Sequence, residues 1–168
     1  ENGLSVRLTV RDLVGFGRFP HSKGRMRAAD HAKVAEAISY LDLSDLAERY
    51  LDELSGGQRQ RAFVAMVLAQ DTGTILLDEP LNNLDIRHAV AMMRLIRRAA
   101  DELGKTIVVV LHDINFASAY ADRIVAMCDG KVAHEGPVAA VITEAVVEAV
   151  FGLPVMIREI EGQRTCLF

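Results

Sequence analysis

Tryptophan is absent from this 168-residue sequence, cysteine occurs only twice, and aromatic residues make up 5%. Two cysteines, Cys128 and Cys166, do not build a disulfide framework, and no further cysteine lies near either of them to complete a zinc site. Such sparing use fits a reducing compartment. No apolar run approaches the ~18–20 residues of a membrane span. Internal repeats and low-complexity stretches are lacking as well. There is no excess of positive charge: the net charge is −4, which speaks against general nucleic-acid binding, where a basic patch or a pI above ~9 is expected. What is present is the material of a globular protein, 51% hydrophobic and 25% charged, too apolar for intrinsic disorder and about one domain in length. The chain opens on Glu1 rather than methionine, with neither a signal peptide nor a transit sequence behind it, as expected of a piece of a longer protein.

Charge is distributed in blocks. Asn2 to Ala35 carries seven basic and two acidic residues, and Glu36 to Gln58 carries one basic and six acidic. Solvated helix faces would explain such blocks, and so would a surface with two differently charged ends. Gly15 to Gly24 contains three glycines and a proline and reads as a loop or hinge. Arg27 to Leu41 has the apolar spacing of a helix, and Ser44 is placed to cap a short second helix ending near Tyr50. The first third is therefore expected to be a small helical unit.

From Leu54 the pattern changes. Ser55 to Gln70 reads as a helix, Thr74 to Asp78 as an apolar strand, and Ile86 to Leu103 as a long amphipathic helix stopped by Gly104. Thr106 to Leu111 is a second strand, Asp113 caps a helix, and Ile124 to Cys128 is a third strand. Alternation of this kind predicts a mainly parallel sheet covered on both sides. Asp129-Gly130 then predicts a tight hairpin, Pro137 to Phe151 short helices ended by Gly152, and Glu161-Gly162 a last hairpin turn.

Four places carry chemistry. Ser55-Gly56-Gly57-Gln58 is a capping box with two glycines in the first helical turn. Each glycine there costs up to ~1 kcal/mol relative to alanine, yet together they bare backbone amides at the positive end of the helix dipole, which suits a phosphate. The plain alternative is a well-capped helix. Asp78 and Glu79 end an apolar strand at the edge where open α/β sheets bind ligands. One acid there can hold Mg²⁺ while its neighbour polarises a water; a solvent-facing strand end is the alternative. His112 follows the next strand at the same edge, within reach of a terminal phosphate on this arrangement. In Asn82-Asn83-Leu84-Asp85, Asp85 doubles as a helix cap.

Taken together, Leu54-Ser55-Gly56-Gly57-Gln58, Leu76-Leu77-Asp78-Glu79-Pro80, Asn82-Asn83-Leu84-Asp85 and His112 resemble the signature motif, Walker B strand, D-loop and switch histidine of ABC-transporter ATPases, over nearly the whole chain. The resemblance implies the C-terminal part of a P-loop NTPase (RecA-like) α/β core, with a helical subdomain and a small C-terminal β-hairpin element. It divides the chain into a permease-contacting loop and helical part (1–53), the second half of the ATPase core (54–128), and a C-terminal hairpin with short helices (129–168). It implies ATP and Mg²⁺ as cofactors. Ser55, Gly56, Gly57 and Gln58 would meet the γ-phosphate of ATP held by a second, identical subunit. Asp78 would bind Mg²⁺, Glu79 would be the general base, His112 the γ-phosphate sensor, and Asp85 the link between the two sites. Two asparagines stand where Ser-Ala is commoner in the D-loop, which leaves Asp85 intact but alters its surroundings.

Gly17-Arg18-Phe19-Pro20-His21 and Tyr50-Leu51-Asp52-Glu53-Leu54 further resemble the ATPases of iron(III)-siderophore importers, with heme and cobalamin importers as near relatives. This implies docking of Leu8 to Gly24 onto a membrane permease, a peripheral position on the cytoplasmic face of the membrane, and an indirect link to a substrate-binding protein. A non-transport ABC protein acting on DNA or ribosomes would be the contrasting assignment, but the coiled-coil insertion or tandem cassettes such proteins carry are not visible. No Gly-x-x-x-x-Gly-Lys-[Ser/Thr] occurs in this sequence, nor do the family's adenine-stacking aromatic residue and the glutamine it carries ahead of Glu1. By itself the chain is expected to be inactive.

Overall fold

In the computed structural model, which describes residues 7–168, Thr9 starts the first helix by a reciprocal cap. Its hydroxyl accepts from the Asp12 amide at 3.1 Å, and the Asp12 carboxylate accepts from the Thr9 amide at 3.0 Å. These bonds from Thr9 hold the Asp12 carboxyl below the usual carboxylate range. The first six residues of the expected 1–53 part lie outside the described residues. Two compact units follow, Glu1–Val110 and Leu111–Phe168.

The first unit has a helical layer. Helix α1 (Val10–Phe16) buries Val10, Leu13 and Val14 against α3 (Ala28–Tyr40) and α4 (Gly56–Ala69). The buried face of α4 is made of Ala62, Ala65 and Ala69, small enough for its neighbours to approach closely. The expected loop over Gly15 to Gly24 is corrected here. Helix α1 continues through Phe16, and a single turn, α2 (Phe19–Ser22), follows before Lys23 and Gly24 turn the chain at φ 50° and 82°. Gly17 is helical at φ −57°, so its role is close approach rather than freedom: a Cβ there would lie 2.0 Å from the Met66 carbonyl oxygen. Beside it Arg18 is buried, its Nε donating to Asp30 at 3.0 Å and its Nη1 to the Ala69 carbonyl at 2.9 Å. The second helix expected from Ser44 is also absent. Two 3₁₀ turns stand there, Ser44–Leu46 and Leu51–Glu53, and Leu43 precedes the first as a fully buried core residue.

Strand β1 (Thr74–Asp78) pairs in parallel with β2 (Thr106–Val110), from Thr74 opposite Thr106 to Asp78 opposite Val110. Between them runs α5 (Ile86–Leu103), capped by Asp85 and ended at Gly104 with φ 59°. Ile75 and Leu77 of β1 face Leu95, Ile96 and Ala99 of α5. The expectation of a sheet covered on both sides fails on the opposite face, where Leu76 is 71% exposed, Val108 50% and Val110 48%. A bare apolar face on a sheet that has two strands among the described residues favours pairing between copies. The chain is therefore expected to self-associate, and Leu76→Lys with Val108→Lys to reduce the association; light scattering showing a monomer of the unsubstituted chain at high concentration would contradict this.

In the second unit, Asp113 caps α6 (Ile114–Tyr120) through the Asn115 and Phe116 amides. The third expected strand forms as β3 (Arg123–Cys128), but its partner is β4 (Lys131–Pro137), antiparallel through a turn with Asp129 and Gly130 at φ 50° and 72°. Local hairpin closure thus decides its partner, and among the described residues the parallel pairing is confined to β1 and β2. Helices α7 (Val138–Val141) and α8 (Glu144–Phe151) follow, then a hairpin of β5 (Met156–Ile160) and β6 (Gln163–Leu167) turning at Glu161-Gly162. Ile142, Val147, Val155 and Cys166 form this unit's core. Burial pushes the free Cys166 thiol up, and the charge of Asp113 adds to the shift.

Candidate functional site

The turn at the start of α4 forms as its residue types require. The Ser55 hydroxyl accepts from the Gln58 amide at 3.3 Å, and the Ser55 amide donates to the Gln58 side-chain oxygen at 2.9 Å. With these groups satisfied, Gly56 and Gly57 occupy the first turn without side chains. Gly56 is exposed and Gly57 buried.

Asp78 closes β1 with its side chain exposed. Glu79 leaves the strand in the left-handed region, at φ 47°. That conformation is unfavourable for a residue with a Cβ and more so before proline, and Pro80 is fully buried. The turn is locked by Asn82, whose amide donates to the Glu79 carbonyl at 3.1 Å and whose side-chain nitrogen donates to the Glu79 carboxylate. Strain of this kind persists only where the surroundings over-determine it, and it gathers at functional sites.

The loop from Glu79 then reaches the α4 turn. A Cβ on Gly56 would lie 4.0 Å from the Asn83 carbonyl oxygen, and one on Gly57 would lie 2.7 Å from Cδ2 of His88. Asp85 caps α5, one carboxylate oxygen accepting from the His88 amide at 2.9 Å and from its Nδ1 at 2.8 Å. These bonds hold the Asp85 carboxyl below its usual range. In the first unit the loop that starts at Glu79 and ends at the cap Asp85 therefore passes the α4 turn at Gly56, and His88, held by Asp85, packs at Gly57. Asp78 precedes this loop on β1. His112 lies exposed in the second unit, between β2 and α6.

Two residues of this arrangement were not singled out by sequence. His88 stands three residues after the cap Asp85, where a side chain can fold back on the cap. Asn82 carried a signal only as a departure from Ser-Ala. Among the described residues no group of three His, Cys, Asp or Glu side chains could hold a metal ion. Mg²⁺ is commonly held by one or two carboxylates together with waters and substrate phosphates. An exposed Asp78 at a strand end, an oxygen donor of the hard type this ion takes, fits that pattern.

A parallel strand pair with a helix between, its first strand ending in two acids, stands in one unit with a glycine-bared helix start, the arrangement expected of part of an ABC ATPase core. The comparisons agree. Residues 1–82 match the ABC transporter family. Over its whole length the chain superimposes with a TM-score of 0.88 on 70% of a chain of a metal-chelate type ABC transporter in an inward-facing conformation, at 26% identity. It is 53% identical over 97% of its length to the petrobactin import ATP-binding protein YclP of Bacillus subtilis (strain 168). To the ferric enterobactin transport ATP-binding protein FepC of Escherichia coli (strain K12) it is 41% identical over 89%. It spans 65% and 56% of those two relatives. The chain carries an ABC transporter domain, and the relatives it resembles are named as ATP-binding proteins of siderophore import.

Proposed function

We propose that the chain supplies the signature turn and the hydrolytic carboxylate of an importer ATPase that energises uptake of an iron(III)-siderophore complex across the cytoplasmic membrane. The observation that carries this reading is the loop Glu79–Asp85, which joins a strained, amide-held glutamate to the glycine turn of α4 within one unit. Ser55, Gly56, Gly57 and Gln58 then meet the γ-phosphate of ATP held by a second copy, where bare amides and the helix dipole receive negative charge. Glu79 takes a proton from a water as its oxygen adds to the γ-phosphorus and the bond to the ADP oxygen breaks. His112 hydrogen-bonds the γ-phosphate, and Asp85 lies between the two nucleotides. Asp78 would hold Mg²⁺, which when bound offsets phosphate charge. Ser55, Gly56 and Glu79 carry no statement of substrate choice; petrobactin and enterobactin importers among the relatives support an iron chelate as cargo.

Residues 8–24 would dock on the permease, within the 1–53 part of the proposed three-part division (1–53, 54–128, 129–168). Phe16 and Phe19 are 52% and 62% exposed. Close by in sequence, Arg18 bonds the carbonyl of Ala69, the last residue of α4, and His21 that of its cap residue Gln70. A load on the two phenylalanines is thereby delivered to α4, which carries it over about 20 Å to the turn at its other end. Among the described residues no helix is long and apolar enough to cross a membrane, in keeping with a peripheral seat beneath a permease, through which a substrate-binding protein would act.

The test is a complete cassette, in which this chain is joined to a segment carrying the phosphate-binding loop. It should hydrolyse ATP with Mg²⁺ and co-purify with a permease, whereas the chain alone should show no measurable hydrolysis and little ATP affinity. Micromolar ATP binding by the chain alone in calorimetric titration, or co-purification of the cassette with nucleic acid, would contradict the proposal.

A further inference from the structure

The two glycines of the α4 turn meet different surroundings. Gly56 is exposed, and the nearest atom to a Cβ placed there is 4.0 Å away. Gly57 is buried, and a Cβ there would come within 2.7 Å of Cδ2, 3.1 Å of Cγ and 3.4 Å of Cβ of His88. Phosphate approach explains the first glycine. The second leaves room for an imidazole.

That imidazole is not free to step aside. Its Nδ1 and its own backbone amide both donate to one oxygen of Asp85, at 2.8 and 2.9 Å. The ring thus lies with one edge on the Gly57 backbone and a nitrogen on the Asp85 carboxylate. It does so while 47% exposed, against a carboxylate 63% exposed. Pairs this open contribute little to folding, so core filling does not account for the arrangement.

We propose that His88 is a positioning residue that ties the Ser55–Gln58 turn to the Asp85 loop, so that a shift of the loop moves the turn. The inference rests on the functional assignment above, in which the turn serves a nucleotide held by the second copy and Glu79 serves the chain's own. His88 is then the contact through which the two nucleotides sense each other. Such a device needs a rigid intermediary with a fixed seat at each end, and the two donated bonds and the missing Cβ of Gly57 provide these.

The test uses complete cassettes. His88→Ala should lower kcat about ten- to a hundredfold, the usual size of coupling between sites. The KM for ATP and the melting temperature should barely move. In a Glu79→Gln background it should weaken ATP-dependent association of two copies by a similar factor. His88→Asn keeps a donor for Asp85 without the ring, and His88→Phe keeps a ring without the donor; each should recover part of the loss. Gly57→Ala should be far less damaging beside His88→Ala than alone, because the ring it would displace is gone. Unchanged kcat and association in His88→Ala, or losses that simply multiply in the double variant, would overturn the inference while an active unsubstituted cassette leaves the functional assignment standing. An unsubstituted cassette that hydrolyses no ATP overturns that assignment and the inference with it.

Discussion

Glu79→Gln in a complete cassette is expected to reduce ATP turnover by about 10²–10⁴-fold, the range typical of losing a general base, while ATP still binds and still draws two copies together. Glutamine keeps the size and the hydrogen-bonding reach of the side chain but cannot accept the proton that attacking water must shed. The structure makes this a clean substitution. Glu79 sits at φ 47° between the end of β1 and the fully buried Pro80, and its backbone carbonyl accepts from the Asn82 amide at 3.1 Å. Glutamine can occupy the same backbone conformation and still offer an oxygen to the Asn82 side chain. The loss should therefore fall on kcat rather than on KM or folding. Steady-state phosphate release measures it; turnover near that of the unsubstituted cassette would remove Glu79 from the role of base.

Much of this architecture was legible because its signals are local. The capping box at Ser55 and Gln58, strand β1, helix α5 with Gly104 behind it, and both hairpin turns rest on contacts within a few residues, and the structure reproduces them. What escaped were features set by distant partners. Gly15 to Gly24 reads as a loop because glycine and proline break helices in isolation, yet Met66, Ala69 and Gln70 some fifty residues on give Gly17, Arg18 and His21 their places. For β3 the apolar pattern alone suits a parallel sheet as well as a hairpin, and the Asp129-Gly130 turn was the local signal that pointed to β4. In the site, the Ser55–Gln58 turn and Asp85 were visible as caps, but nothing in a one-dimensional pattern shows that His88 fills the space over Gly57.

Gly17→Ala separates a hinge from a packing contact. Were Gly17 a flexible joint in a helical conformation, alanine would be tolerated and would stabilise the unit by roughly 0.4–1 kcal/mol, since it restricts the unfolded chain. The observed φ of −57° and ψ of −25° are comfortable for alanine, so the backbone offers no objection. Sterics do: the new methyl group would lie 2.0 Å from the Met66 carbonyl oxygen and 3.1 Å from its carbon. Met66 lies within α4, whose carbonyls are fixed by helical geometry, so α1 must lift away. Lifting it draws Arg18 from the Ala69 carbonyl and from Asp30, now 2.9 and 3.0 Å away. The expected loss is at least the ~1–3 kcal/mol of ordinary overpacking. Gly15→Ala is the matched control. Its methyl group would meet only Met26 Sδ at 3.6 Å, an ordinary contact, and should add up to ~1 kcal/mol of helix propensity. Urea unfolding followed by helical circular dichroism reads both variants, and a Gly17→Ala midpoint at or above that of Gly15→Ala would return residues 15–24 to the status of a hinge.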